Sequence, residues 1–136
     1  VASGKDVQLD SLVKARITRG QTIPASHYVS VQQARRKLHQ AFDAAVADFD
    51  LLMLPTVPVV APLIQSLDDA DAFNRMNMLV LRNPSVFNFY DVPAASLPLP
   101  RAEQKLPVGL MVVGQRGGDR NLLELAHCLS ESVGVL

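Results

Sequence analysis

A change of apolar period near residue 49 constrains the fold more than any other feature of the sequence. Before it, apolar residues recur at spacings of three, four and seven, and this stripe consists of Tyr28, Val31, Leu38, Phe42, Ala45 and Phe49. The stripe predicts a helix of about 24 residues that Ser26 caps and that closes near Asp48. After it, residues 50–55 form a short apolar run that a proline halts, which is typical of a strand buried on both faces. A long helix that leads directly into a buried strand favours a fold with both element types.

The remaining patterns predict further helices and two more strands. We expect helices at residues 7–19, at residues 68–84, and from a cap at Asp119 to residue 129. Because Pro84 interrupts the second of these helices, a separate helical turn is expected at residues 85–90. We expect strands at residues 92–99 and 108–113, and a polar turn at residues 101–105. The predicted fold class is therefore α/β, with helices packed on a mixed β-sheet of at least three strands. A single domain is expected over residues 1–136.

Composition excludes several classes of function. Thirteen basic and thirteen acidic residues cancel, so direct nucleic-acid binding is not expected, and the basic cluster at residues 35–37 is interpreted as a solvated helix face. No apolar stretch reaches the roughly 18 residues of a membrane span, and no signal segment is present, which favours a cytoplasmic protein without membrane contact. The single cysteine, Cys128, excludes an intramolecular disulfide and is predicted to be a small buried thiol.

The usual motifs of metal and phosphate chemistry are missing. His27, His39 and His127 are not at metal-ligand spacing, so each is interpreted as a helix residue with an ordinary partner, and no metal or cofactor is expected. The loop at residues 114–119 lacks the spacing of a phosphate-binding motif, and its glycines are predicted to serve left-handed turn geometry. No G-x-S-x-G elbow supplies a nucleophilic serine.

One segment concentrates polar groups among apolar neighbours. Arg82, Asn83, Asn88 and Asp91 lie within ten positions at a predicted helix-to-strand junction. Buried polar groups must find partners, so this cluster is a candidate pocket wall. The alternative is that Asn88 and Asp91 satisfy backbone groups in the turn before the strand, and residue chemistry leaves both interpretations open.

Three stretches, taken in order, resemble the amidase-signature family. Residues 50–62 read D-L-L-M-L-P-T-V-P-V-V-A-P, similar to the family's D-x-L-x-x-P-T-x-P-x-x-A-P. Arg82-Asn83, then F-N and V-P-A-A-S-L-P up to residue 98, resemble R-N-T, F-N and G-L-P-A-x-S-x-P. L-P-V-G-L-M-V-V-G at residues 106–114, with the L-L-E-L-A that follows, resembles the family's ending. Departures from the family pattern are Pro84 for Thr, Asp91 near a Gly, Pro100 for Gly and Met111 for Gln.

The resemblance implies hydrolysis of a carboxylic amide to acid and ammonia. Members of the family use a serine nucleophile, a second serine and a lysine base, which lie in a Gly/Ser-rich signature upstream. This sequence has no G-G-S-S-G run, and no catalytic role is assigned to its lysines, Lys5, Lys14, Lys37 and Lys105. We therefore expect the C-terminal part of a larger amidase, inactive alone, and the start at Val1 rather than Met fits an excised piece.

Carried onto this chain, the resemblance implies that Arg82, Asn83, Asn88 and Asp91 are substrate-binding wall residues for a small-molecule amide, and that Arg82 pairs with the substrate carboxylate if the substrate has one. A close rival within the family is the A subunit of glutamyl-tRNA amidotransferase, which releases ammonia from glutamine for its partner chains. A different class of function is a non-enzymatic interaction module. Exposed strand edges and apolar faces predict self-association in either case.

Overall fold

The computed structural model describes residues 9–100 and 106–133, apart from the Leu12 side chain. The elements in chain order are α1 Ser11–Thr18, α2 Ala25–Val46, β1 Leu52–Pro55, α3 Ala70–Phe89, β2 Ala94–Pro98, β3 Gly109–Val113 and α4 Asp119–Ser132. Short 3-10 helices occupy Arg19–Thr22 and Ile64–Leu67. The predicted turn at residues 101–105 and the start of the predicted first helix lie outside the described residues. Within the described part, no helix has the length and apolar character needed to cross a membrane.

The chain divides into two compact units, Val1–Leu38 and His39–Leu136. The first unit contains α1, the 3-10 helix that follows it and the first part of α2. Its large apolar side chains are exposed, among them Ile17, Ile23, Tyr28 and Val31. The stripe on α2 thus exists as predicted, but α2 buries none of its residues.

The second unit is built around a three-stranded sheet. The strand order is β1-β3-β2, and β3 pairs antiparallel with both neighbours. The expected mixed pairing is therefore not seen among the described strands. β3 is the central strand, and it contains the most deeply buried side chains, Met111, Val112 and Val113.

Helices cover both faces of this sheet because the side chains of β3 alternate between two cores. Met111 and Val113 pack with Phe87 of α3, and the half-buried Phe42 of α2 joins them. On the opposite face, Val112 packs against two residues of α4, Leu122 and Ala126. This arrangement confirms the prediction of an α/β fold with helices packed on at least three strands.

The predicted burial of the first strand on both faces is wrong. β1 is an edge strand with one neighbour, and its side chains alternate in exposure, with Met53 59% exposed. Leu52 and Leu54 point to the core that contains Phe87. A continuous apolar run does not distinguish an edge strand from a central one, because it lacks the alternation that reveals which face meets solvent.

The predicted helix stop at Pro84 is also wrong. α3 continues through Pro84 to Phe89, although proline has no N–H for the carbonyl of Val80 and costs roughly 3 kcal/mol in a helix interior. Continuation brings Phe87 into the core, where it is 8% exposed, and burial of such a side chain contributes about 1.5–3 kcal/mol. The carboxylate of Asp69 also stabilises the helix, because it accepts a hydrogen bond from the N–H of Ala72 at 2.7 Å.

Smaller corrections concern caps and one side chain. α2 begins at Ala25, so Ser26 lies inside the helix, and Asp119 is the first residue of α4 while Gly118 takes the N-cap position. Cys128 is exposed on α4 rather than buried. The prediction of left-handed geometry in the loop before α4 is confirmed at Gly117, whose φ is 72°.

Candidate functional site

An apolar groove lies beside the sheet in the second unit. Its cavity volume is about 510 Å³, within the range of small-molecule sites. Three parts of the chain form it: the loop after β1, one residue of α3 and the segment that leads into β3. The lining residues are Val57, Pro58, Val59, Val60, Ala61, Pro62, Val80, Pro107, Val108 and Gly109. None of these side chains is charged or polar, so the groove suits an apolar group.

The loop at residues 57–62 exists because prolines end the strand before it. Pro55, Pro58 and Pro62 have no N–H to donate, so the chain after β1 cannot extend the ladder. The start of the loop is nevertheless fixed. The N–H of Thr56 donates to the Gly109 carbonyl at 2.9 Å, and the side-chain amide of Asn83 donates to the Pro55 carbonyl at 2.8 Å.

Among the predicted site residues, Asn83 thus contacts the strand that leads into the groove. It is half-buried on α3, one turn beyond Val80 of the groove lining. Arg82 is the preceding residue on the helix but points about 100° away from it, as 3.6 residues per turn require. Arg82 is exposed and lines an open depression of α3 together with Asn74, Arg75, Met78 and Leu79.

Asn88 and Asp91 lie at the C-terminal end of α3, where the backbone closes a Schellman motif. The N–H of Asp91 donates to the Asn88 carbonyl and the N–H of Val92 donates to the Phe87 carbonyl, each at 3.3 Å. Asp91 adopts φ 52°, the left-handed conformation that this motif requires. Val92 packs against the core that contains Phe87, which is the apolar contact that accompanies the motif.

The same helix end is attached to α2 by an aromatic cluster. Nε2 of His39 lies 2.8 Å from the Phe89 carbonyl and 4.0 Å from a carboxylate oxygen of Asp91. The rings of Phe42 and Tyr90 stack with centroids 4.3 Å apart and planes 15° from parallel. His39 therefore has an ordinary partner, as predicted, and so has His127, whose Nε2 lies 3.9 Å from Glu131.

Of the four predicted residues, Asn83 thus lies beside the groove and Arg82 lines the open depression, while Asn88 and Asp91 lie at the C-terminal end of α3. Arg82 and Asn88 are six residues apart on α3, which corresponds to a rise of about 9 Å along the helix axis. The sequence interpretation missed the groove itself, although the signal was present. The quoted stretch at residues 50–62 places three prolines within and directly after a strand, and loops at strand ends commonly form pocket walls.

The second unit is thus an α/β segment with an apolar groove beside its antiparallel sheet. In the part of the chain that the structure describes, no cluster of three His, Cys, Asp or Glu residues is arranged to hold a metal ion. The family described as Amidase matches residues 1–123, and the chain therefore belongs to the amidase family.

Individual relatives agree with this assignment. The chain is 35% identical over 106 residues to the A subunit of the glutamyl-tRNA(Gln) amidotransferase of Haloarcula marismortui, a match that covers 76% of this chain and 24% of the relative. It is 28% identical over 127 residues to the A subunit of the Wolinella succinogenes enzyme, covering 90% of this chain and 27% of the relative. The chain thus spans about a quarter of the length of these curated relatives.

A solved structure shows the same fold. A variant of the allophanate hydrolase of Kluyveromyces lactis superposes with a TM-score of 0.79 at 23% identity, covering 92% of this chain and 20% of that one. The fold of the described residues is therefore that of a segment of an amidase-family enzyme.

Proposed function

We propose that this chain is the C-terminal part of a longer amidase that hydrolyses a carboxylic amide to acid and ammonia. The observation that carries the proposal is the family match over residues 1–123, combined with the short share of each relative that the chain covers. The serine nucleophile, the second serine and the lysine base that the family resemblance implies then belong to another part of the protein. In this proposal the isolated chain is inactive because it has neither the serine nucleophile nor the base that activates it.

In this proposal the chain supplies one wall of the substrate pocket. The groove lined by the loop at residues 57–62 receives the apolar acyl part of the amide, since its lining carries no charged or polar side chain. Asn83 belongs to this wall through its hydrogen bond to Pro55. Arg82, Asn88 and Asp91 belong to the part of the pocket that the rest of the enzyme completes.

Arg82 is proposed to bind the carboxylate of those amide substrates that have one, and its exposure on α3 leaves the guanidinium available. In the full-length enzyme, Arg82→Ala should raise KM much more for acidic amides than for neutral amides. Arg75→Ala is the matched control, because Arg75 lines the same depression about two turns earlier on the helix. An equal effect of Arg82→Ala on both classes of amide would remove the carboxylate role.

The A subunit of a glutamyl-tRNA amidotransferase is the second candidate function. The names of the Haloarcula marismortui and Wolinella succinogenes relatives support it, whereas the apolar groove favours an enzyme for apolar amides. Ammonia release from hexanamide and from glutamine by the full-length protein separates the two. We expect hexanamide to be the better substrate, and a strong preference for glutamine would establish the amidotransferase alternative.

Two further proposals concern self-association and cellular location. The isolated chain should associate with copies of itself, because large apolar side chains such as Leu63 and Ile64 are exposed. A cytoplasmic location stays a prediction from the sequence.

A further inference from the structure

A pair of hydroxyl groups connects the two edge strands of the sheet across the central strand. Thr56, directly after β1, and Ser96 of β2 place their side-chain oxygens 2.5 Å apart, so one hydroxyl donates to the other. Both edge strands already pair with β3. The backbone ladder is complete without this bond, so the hydroxyl pair contributes something other than strand pairing.

Gly109 of β3 makes this bond sterically feasible. A β-carbon at position 109 would lie 2.5 Å from the Ser96 hydroxyl oxygen and 2.6 Å from that of Thr56. Any other residue would therefore push the two hydroxyl groups apart. Gly109 also lines the groove, so the hydroxyl pair lies beside the groove rather than in a remote part of the sheet.

A third polar contact fixes the end of β1, and it comes from α3 rather than from the sheet. Asn83 of α3 donates from its side-chain amide to the carbonyl of Pro55, the last residue of β1. Pro55 and Thr56 are thus fixed by α3, by β2 and by the backbone of Gly109. The groove-lining loop begins at the next residue, Val57.

We propose that Thr56, Ser96 and Asn83 are positioning residues that fix the direction in which the loop at residues 57–62 leaves the sheet, and that they thereby determine the size of acyl group that the groove accepts. The inference rests on the proposed function, in which the acyl part of the amide occupies the groove. The three side chains act through the loop, so their loss should change substrate selection rather than the chemical step.

The test compares hexanamide with acetamide as substrates of the full-length enzyme and of its Thr56→Val and Ser96→Ala variants. A net hydrogen bond contributes about 0.5–1.5 kcal/mol, so each variant should lower the preference for hexanamide about two- to tenfold. The change should appear in KM for hexanamide, with kcat retained. Thr56→Ser keeps the hydroxyl and should restore the preference. The double variant should be no worse than either single variant, because both remove the same bond.

Valine methyl NMR spectra of the same variants provide a readout that does not depend on turnover. Methyl resonances of Val57, Val59 and Val60 should shift in Thr56→Val and in Ser96→Ala, while those of Val112 in the opposite core stay in place. Unchanged loop resonances, or additive effects on acyl preference, would overturn the inference even if the enzyme hydrolyses amides. Absence of hydrolysis by the wild-type enzyme would refute the proposed function instead, and the NMR result would still decide the role of the hydroxyl pair in positioning the loop.

Discussion

Asp91 combines an unusual backbone conformation with a proposed place in the pocket. Its φ of 52° is one that glycine adopts freely and that other residues adopt at a cost, although aspartate tolerates it better than most. The amidase-signature pattern has a glycine near this position. The carboxylate lies 4.0 Å from His39 and is more than half exposed, so the attraction between them is weak.

Asp91→Gly should therefore stabilise the chain by about 0.5–1 kcal/mol, because it relieves the left-handed strain at the end of α3. Urea unfolding at constant pH measures the change. Asp91→Ala is the control, since it removes the carboxylate but keeps the β-carbon, and it should give no such gain. If both variants lose stability, the contacts of the Asp91 carboxylate outweigh the strain.

For individual residues, the sequence predicted which polar side chains need partners, but it did not predict which atoms those side chains contact. It marked Asn83 and Asp91 as polar groups that need partners. It could not show that Asn83 reaches Pro55, 28 positions away, because that contact depends on the packing of α3 against β1. It placed Cys128 in the interior because cysteine usually is buried, but the position of the residue around α4 decides whether it faces the sheet or the solvent.

The packing of α4 on the sheet buries one face of the helix and leaves the other exposed. Leu122 and Leu123 are neighbours on the helix, yet Leu122 is 2% exposed against Val112 while Leu123 is 65% exposed. The difference follows from the rotation of about 100° between successive helical residues. Gly114 before the helix adds to the close fit, because a β-carbon there would lie 3.1 Å from the β-carbon of Leu122.

Leu122→Ala should lower the free energy of unfolding by about 2–5 kcal/mol, since it removes a buried side chain and leaves a cavity. Leu123→Ala, with the same chemical change in the same helix, should stay within about 0.5 kcal/mol of the parent. Thermal or urea unfolding of the two variants side by side provides the comparison. Similar losses in both would mean that α4 does not pack on β3 through Leu122.

Elements with strong local signals were predicted within a few residues, as α2, β3 and α4 show. What local signals could not provide was the set of long-range contacts. The side chain of Gln115 donates to the carbonyls of Ala47 and Phe49, 68 and 66 positions away, and Arg116 donates two hydrogen bonds to Asp43. The strand order β1-β3-β2 is likewise set by long-range contacts, and the positions of the strands in the sequence do not predict it.

At the scale of the whole molecule, the described residues expose a large apolar surface. Leu63, Ile64 and Met78 are each at least 70% exposed, and β1 and β2 are the outer strands of the sheet. In the proposed enzyme, the rest of the protein covers part of this surface.

The isolated 136-residue chain should therefore self-associate, with an average mass in sedimentation that rises with concentration. The full-length protein at the same molar concentrations is the control and should show a weaker dependence. An isolated chain that stays monomeric at high concentration would contradict the expectation.

We propose that this chain forms part of the pocket but not the catalytic centre of an amidase. Ammonia release from hexanamide, measured for the full-length protein and for the isolated 136-residue chain, tests this proposal. We predict turnover by the full-length protein and none by the isolated chain. Turnover by the isolated chain would show that it contains a catalytic centre, and no amide hydrolysis by the full-length protein would refute the proposed amidase activity.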